Sequence, residues 1–258
     1  MRITMEDVLV KYIQKVELKN PIMIVGLPGV GNVGKIAVDY IKDELKAVKF
    51  AEIYSKYFPP QVLIDSNSVI RLVNNELHYV KRDNESDLIL LTGDYQGLSS
   101  EGQYELSDRI LKIAKEHKVK MIYTLAGYAK GYTDGKPLVW GAVNNKDLIK
   151  ILKKYNISHE RDEIGGSLVG ASGLLLGIGI QYGIDAICLM GETSGYFIDP
   201  KSSESLIKSI AKILNIKIKY NNMHKKAHEI ERITQKFQDM QQNPQDEKGK
   251  DENLNYFG

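Results

Sequence analysis

A run of glycines near the start of the chain has the spacing of a dinucleotide-binding turn. The run Gly29 to Gly34, GVGNVG, follows an apolar segment and precedes residues with helical spacing. Glycines in such a turn let backbone amides approach a pyrophosphate at a helix N-terminus. Glu52 also lies near the distance along the chain at which a ribose-binding carboxylate is expected. The spacing is therefore compatible with binding of a dinucleotide.

The same glycines, followed by Lys35, also match most of a phosphate-binding loop. Ile36 stands where a Ser or Thr hydroxyl would ligate magnesium, which argues against an ordinary NTPase. A third interpretation is structural, because three glycines let a helix pack closely against its strand. The residues alone leave nucleotide binding and close packing both open.

Two carboxylates lie where α/β sheets hold ligand groups. Asp94 follows the apolar segment 88–92, and Glu192 follows the apolar segment 184–191. Ligand groups of such sheets lie beyond the carboxyl ends of the strands, so these two side chains could act as an acid and a base. The alternative is that both carboxylates cap or pin the loops that they begin.

Other residue types that carry out catalysis occur in unfavourable surroundings. Cys188 lies within an apolar predicted strand, where cysteine usually behaves as a small buried hydrophobic residue. Ser172 and Ser194 both lack the glycine two places later that a nucleophile elbow needs. His224 and His228 share a helical face but have no third ligand nearby in the sequence. The sequence therefore predicts no catalytic residue, no metal site and no cofactor.

Strand and helix signals alternate along the chain, which predicts a mostly parallel central sheet flanked by helices. The predicted strands are 21–26, 48–54, 88–92, 121–126, 138–142 and 184–191, and the predicted helices are 34–46, 101–116, 146–155, 168–182 and 201–214. Residues 62–64 and 69–73 predict an antiparallel insert that reverses at Asn74 and Asn75 before 77–81. The predicted fold class is a single α/β domain followed by a C-terminal helix and a disordered tail.

Length, composition and charge are those of an ordinary globular protein. The 258 residues suffice for one large domain, and no apolar run approaches the ~20 residues of a membrane helix. The 35 basic and 33 acidic residues leave a net charge of +2, which does not favour nucleic acid. The N-terminal residues are not those of a signal peptide, and a single cysteine suits a reducing compartment. We therefore expect a cytoplasmic protein that binds neither nucleic acid nor membrane.

The last thirty residues differ in pattern from the rest. Ile230, Ile233, Phe237 and Met240 recur at spacings of three and four, which predicts one apolar stripe on a charged helix. The stripe must pack either on its own domain or against another subunit. Residues 241–253 contain no apolar side chain and predict a disordered linker.

Five sequence blocks together resemble a known family. They are 26–35 (GLPGVGNVGK), 92–96 (TGDYQ), 124–128 (TLAGY), 170–177 (GASGLLLG) and 188–196 (CLMGETSGY). In this order they resemble the proteasome assembly chaperone family in its archaeal form. The resemblance implies an α/β domain with a topology similar to nucleoside phosphorylases, homo-oligomerisation, and ATP-independent chaperone activity toward proteasome subunits. The resemblance runs from about residue 20 to 215, and the composition of the C-terminal segment predicts a domain at 1–240 and a linker and tail at 241–258.

The resemblance also implies a role for the C-terminal residues. Proteasome activators and some archaeal assembly chaperones end in a hydrophobic residue, a tyrosine and any residue, and this tail enters pockets between neighbouring α-subunits of the core particle. Leu254, Tyr256, Phe257 and Gly258 resemble that tail, with the departure that Phe257 lacks the tyrosine hydroxyl. These four residues are the predicted partner-binding residues, and a nucleotide- or phosphate-binding enzyme using Gly29 to Gly34 is the alternative.

Overall fold

Four parallel strands form the centre of the sheet, as continuous apolar runs predict for strands buried on both faces. A computed structural model of the chain describes residues 6–131, 136–160 and 166–220. In spatial order the central strands are β7 (Leu88–Gly93), β2 (Ile22–Val25), β8 (Met121–Ala129) and β10 (Asp185–Thr193). The predicted α/β class with a parallel centre is confirmed.

Antiparallel strands extend this centre on both sides. Beyond β7 follow β6 (Asn75–Val80), β3 (Val48–Ser55) and β1 (Val8–Tyr12), and β9 (Val139–Val143) pairs with β10 at the other edge. A separate two-stranded hairpin consists of β4 (Val62–Ile64) and β5 (Ile70–Leu72). The predicted antiparallel insert is therefore confirmed, and the eight-stranded sheet is mixed.

The edge strand β1 has no counterpart in the sequence prediction. It pairs with β3, from Val8 opposite Ser55 to Tyr12 opposite Ala51. Three of its five residues are exposed. Its sequence, VLVKY, does not alternate between apolar and polar residues as that of a half-buried strand would. Its conformation depends on a partner strand far along the chain, which a local pattern does not reveal.

Helices cover both faces of the sheet. The helices of the described residues are α1 (Val33–Glu44), α2 (Ser100–Glu116), α3 (Ile149–Lys154), α4 (Ala171–Tyr182) and α5 (Pro200–Leu214), with 3₁₀ turns at Val30–Asn32 and Lys146–Leu148. Helices α2 and α4 pack together against one face, and α1 and α5 pack together against the other. None of these helices combines the length and apolar character that crossing a membrane requires.

Each face of the sheet has its own apolar core. Phe50, Leu111 and Leu175 belong to the core beneath α2 and α4, and this core also contains the fully buried Cys188, as the sequence predicts. The core on the opposite face includes Ile41 of α1 and Leu206 of α5. The two cores hold the sheet rigidly, and with it the loops at the strand ends.

Local sequence signals set the start of α5. The Asp199 carboxylate accepts a hydrogen bond of 2.9 Å from the Ser202 N–H, and Pro200 occupies the first helical turn. Asp is a favoured N-cap. Pro is tolerated in the first turn, because a backbone N–H at that position would have no acceptor within the helix. The predicted start of this helix is confirmed.

Candidate functional site

A cleft of about 590 Å³ lies at the carboxyl ends of the central strands. In the sheet, β7 lies on one side of β2, and the next strand along the chain, β8, lies on the other side of β2. The order of strands therefore changes direction between β2 and β8. Open α/β sheets bind ligands at such a switch point. This cleft is therefore where the fold offers a site for a small molecule.

The described residues that line this cleft include no charged side chain. Its walls combine glycine backbone at Gly29 and Gly127 with apolar Leu27 and Leu168, and Gln96 supplies one of the few polar groups. A buried phosphate group needs cationic or several amide partners to offset the loss of hydration. The cleft therefore lacks the charge complement of a nucleotide di- or triphosphate among these residues.

The glycine turn is packed against the protein itself. A Cβ atom on Gly34 would lie 1.9 Å from the Leu125 carbonyl oxygen of β8, so only glycine lets α1 approach the sheet this closely. Gly31 has a φ of +60°, and its carbonyl accepts a hydrogen bond of 2.9 Å from the Asp199 N–H. The Thr193 hydroxyl oxygen would lie 2.9 Å from a Cβ on Gly31. These contacts support the close-packing interpretation of the glycines.

The N-terminus of α4, the second helix that points into the cleft, is occupied by a side chain. The Gln96 amide oxygen accepts a hydrogen bond of 3.0 Å from the Ala171 N–H, and its Nε2 donates to the Pro28 carbonyl at 2.5 Å. Gln103 donates a further bond of 3.3 Å to the same Gln96 oxygen. Gln96 thus takes up one N–H group of a helix end at which an anion could bind, and it ties the glycine turn to α4.

Two further residues of the nucleotide interpretation have other partners. The Lys35 ammonium donates to the Asp39 carboxylate at 2.7 Å, one turn further along α1. Glu52 lies on β3, which β6 and β7 separate from β2, and it accepts hydrogen bonds from Lys49 at 2.8 Å and Tyr54 at 2.9 Å. A ribose-binding carboxylate must lie beside the glycine turn. The ribose interpretation of Glu52 is therefore wrong.

Asp94 pins the β4–β5 hairpin to the end of β7. Its carboxylate accepts two hydrogen bonds from the Arg71 guanidinium, at 2.6 and 3.0 Å, and one of 3.0 Å from the Asn74 N–H. Burial raises the pKa of the Asp94 carboxyl, but the Arg71 and Asn74 hydrogen bonds outweigh burial and the net pKa is lowered. Asp94 is therefore a bound anion rather than a general acid.

Glu192 pins the segment that precedes β9. One carboxylate oxygen accepts hydrogen bonds from Trp140 Nε1 at 3.0 Å and Lys130 Nζ at 3.1 Å, and the other accepts one of 3.2 Å from the Leu138 N–H. Burial raises the pKa of Glu192, but the hydrogen bonds from these donors lower it by a larger amount, so the net pKa is below the ordinary value. Both oxygens are occupied, as the loop-pinning interpretation predicts.

The two carboxylates also lie too far apart to act together. Asp94 follows β7 and Glu192 ends β10, and strands β2 and β8 lie between them. Three strand spacings separate them by about 14 Å, well beyond the range of one acid–base pair. Within the described residues, no group of three or more His, Cys, Asp or Glu side chains is arranged to hold a metal ion.

Comparison with known proteins assigns the chain to a family. The profile described as the PAC2 family matches residues 23–238. The chain belongs to the PAC2 family. An uncharacterized protein of Methanocaldococcus jannaschii is 35% identical over 259 residues, which span 98% of this chain and 99% of that protein.

Two solved structures similar to this PAC2 family protein are of proteins linked to the proteasome. Pyrococcus furiosus PbaB, an archaeal proteasome activator, is 38% identical, with a TM-score of 0.86 over 91% of this chain and 100% of PbaB. Pyrococcus furiosus PbaA, an archaeal homolog of proteasome-assembly chaperone, is 25% identical, with a TM-score of 0.73 over 91% of this chain and 98% of PbaA. The family resemblance and the fold inferred from the sequence are thereby confirmed.

The predicted partner-binding and oligomer-contact residues of this PAC2 family protein lie outside the described residues. They are Leu254, Tyr256, Phe257 and Gly258 of the tail, and Ile230, Ile233, Phe237 and Met240 of the apolar stripe. His224 and His228 lie there too, as does the boundary predicted between 240 and 241. These assignments stay predictions from the sequence.

The packing of the glycine turn predicts that the purified protein binds neither ATP nor NAD tightly. The turn and the α4 N-terminus are already occupied by protein groups, and the described lining of the cleft carries no cation. Isothermal titration calorimetry with each nucleotide should give no saturable heat at micromolar protein concentration. Micromolar affinity that disappears in a folded Gly31→Val variant would contradict this prediction.

Proposed function

We propose that the chain is a non-catalytic proteasome-binding protein that acts as a homo-oligomer in the cytoplasm. It docks the tail residues Leu254, Tyr256, Phe257 and Gly258 into pockets between α-subunits of the core particle. The observation that carries the proposal is the similarity to PbaB, an archaeal proteasome activator, at 38% identity over 91% of the chain. The similarity to PbaA, which is more distant, extends the proposal to a role in proteasome assembly.

The hydrogen bonds of the described polar side chains near the strand ends support a binding role over an enzymatic one. Asp94 and Glu192 are bound by donors that hold their pKa values low, and Lys35 is paired with Asp39. Each of these three groups therefore stabilises a loop or a helix. The enzyme alternative, built on Gly29 to Gly34, has no comparable support in the described residues.

Native mass spectrometry of the protein with purified archaeal core particle tests the proposal. We expect complexes of core particle with one or two oligomers, formed without ATP, because none of the described features requires a nucleotide. The same experiment with the isolated α-ring should give binding, whereas β-subunits alone should give none. A protein that binds no α-subunit at micromolar concentration, or binds only with ATP, would contradict the proposal.

A further inference from the structure

The β4–β5 hairpin presents an aliphatic outer face. In its antiparallel register Val62 lies opposite Leu72 and Ile64 lies opposite Ile70. Residues that are directly opposite, or two apart on one strand, share a face of a β-ribbon. These four side chains, which we call the hairpin face, are all exposed.

The opposite side of the hairpin fixes it to the domain. Leu63 is partly buried and packs on the core beneath α2 and α4. Arg71, which lies opposite Leu63, makes the two hydrogen bonds to Asp94. In the turn, the Asp65 carboxylate accepts hydrogen bonds from the N–H groups of Asn67 at 2.8 Å and Val69 at 2.9 Å. The hairpin face is therefore held outward by specific contacts.

The exposure of this face is costly for a domain that stays alone in water. Val62, Ile64, Ile70 and Leu72 are 43%, 69%, 63% and 53% exposed, and the adjoining Val69 is 61% exposed. Together they present an apolar patch on the order of 500 Å², in the upper part of the range for the largest patch of a soluble monomer, and such patches are often functional. A cleft of about 500 Å³ lies beside the base of the hairpin and is lined by Phe58, Pro59 and Pro60. Val62 and Leu72 of the hairpin face also line this cleft, together with the polar Lys56 and Gln61.

The chemistry of the hairpin face selects the class of partner. It carries no charge and no side-chain hydrogen-bonding group, so it complements another neutral aliphatic surface rather than a charged or polar one. A two-fold contact requires one patch to be complementary to itself, and an all-aliphatic face meets that requirement. Two such faces in contact would bury on the order of 1,000 Å², the lower bound for a specific interface.

We infer that the hairpin face is a contact between copies of this chain, with the hairpins of two subunits packed face to face. The inference rests on the homo-oligomer of the proposed function but is independent of the tail. It assigns Asp94 a structural purpose, since the Arg71–Asp94 pair holds the hairpin in the orientation that a second copy meets. The contact lies outside residues 230–240, the predicted apolar stripe that packs either on its own domain or against another subunit.

Charge substitution at one position of the face tests the inference. Ile70→Glu and Ile70→Lys each place like charges against each other in a face-to-face contact, so each variant should lose self-association. We expect the mass from light scattering at micromolar concentration to fall at least twofold relative to wild type. Ile180→Glu is the matched control, because Ile180 is 57% exposed on α4 and should leave the mass unchanged.

Mixing the two variants separates a direct contact from damage to the hairpin. Opposite charges then meet across the interface, so an equimolar mixture of Ile70→Glu and Ile70→Lys should recover the larger mass. Unchanged circular dichroism of each variant confirms that the domain is folded. A mixture that stays at the smaller mass, or single variants that keep the wild-type mass, would overturn the inference.

Cysteine cross-linking supplies a second, independent measurement. The chain's single cysteine, Cys188, is fully buried, so Ile64→Cys adds the accessible thiol that is needed. Mild oxidation of Ile64→Cys should give a covalent dimer that reducing agent reverses, whereas Ile180→Cys should remain monomeric on a denaturing gel. Absence of the cross-linked dimer would also overturn the inference.

Core-particle binding distinguishes this inference from the proposed function. If Ile70→Glu keeps the wild-type mass but loses binding to the core particle, the hairpin face meets a proteasome subunit and the inference fails. If Ile70→Glu loses mass while single subunits still bind the core particle weakly, both proposals hold. If removal of the tail alone abolishes binding to the core particle, the hairpin contact between copies of the chain is unaffected.

Discussion

Removal of residues 254–258 is expected to abolish retention of the protein on immobilised proteasome core particle. The truncated chain, ending at Asn253, loses Leu254, Tyr256 and Phe257, the three large apolar residues of the tail. Its circular dichroism and the mass of its oligomer should not change, because residues of the α/β domain form both apolar cores. Surface plasmon resonance with immobilised core particle measures the loss.

The size of the effect follows from multivalency. One tail offers one or two aromatic side chains, and ordering of the residues before it offsets part of their contribution, so an isolated tail peptide should bind weakly. The thirteen residues 241–253, as a flexible linker, have a root-mean-square reach of roughly 20 Å and a full extension of about 40 Å. After one tail has docked, the others experience an effective concentration on the order of millimolar, so avidity can exceed single-site affinity by ~10²-fold.

Substitutions of Phe257 refine this prediction. Phe257→Ala should accelerate dissociation, because most losses at an interface appear in the off-rate. Phe257→Tyr restores the hydroxyl of the related tails and should bind at least as well as wild type. A truncated protein that binds the core particle as tightly as the full chain would show that the globular domain carries the interaction.

A methyl group at position 34 is expected to destabilise the fold strongly. The Cβ of Gly34→Ala would lie 1.9 Å from the Leu125 carbonyl oxygen, and both groups belong to rigid backbone, on α1 and β8. Separating the two elements also disturbs the core that contains Ile41 and Tyr123. Overpacking of this kind costs about 3 kcal/mol or more, which lowers the melting temperature by on the order of 10 °C in a domain of this size.

The chain supplies a matched control for this substitution. Gly177 lies within α4, and a Cβ there would meet no atom within 4 Å. Gly177→Ala should therefore stabilise the protein by up to ~1 kcal/mol through helix propensity. Thermal unfolding followed by circular dichroism compares both variants with wild type. Gly34→Ala with a melting temperature equal to that of wild type would contradict the close-packing interpretation of the glycine turn.

Local patterns in the sequence determined most elements of this protein, with the edge strand β1 as an exception, and several of their ends. Continuous apolar runs located the central strands, because burial on both faces leaves no polar alternation. Asp199 and Pro200 located the start of α5 through local capping. The family also followed from sequence, since five blocks in a fixed order are far more specific than a single glycine motif.

The surroundings of the glycine turn became visible only in the tertiary structure. The spacing of Gly29 to Gly34 is the same whether the glycines face a phosphate or a neighbouring backbone, so the sequence left both interpretations open. The Leu125 carbonyl, the Asp199 N–H and the Gln96 amide, all distant along the chain, occupy the surroundings of the turn and of the α4 N-terminus. Contacts between distant segments thus support the close-packing interpretation, which the sequence alone could not favour.

The placement of carboxylates and of exposed apolar residues likewise depended on the three-dimensional arrangement. Distance along the chain suggested Glu52 as a ribose ligand, but strand order placed it three strands from β2. Residues 62–64 and 69–73 predicted a hairpin-like pair, yet only its attachment through Leu63 and Arg71 shows which face is outward. A local period of two specifies that a strand has two faces, and the packing of the whole domain determines which of them remains exposed to solvent.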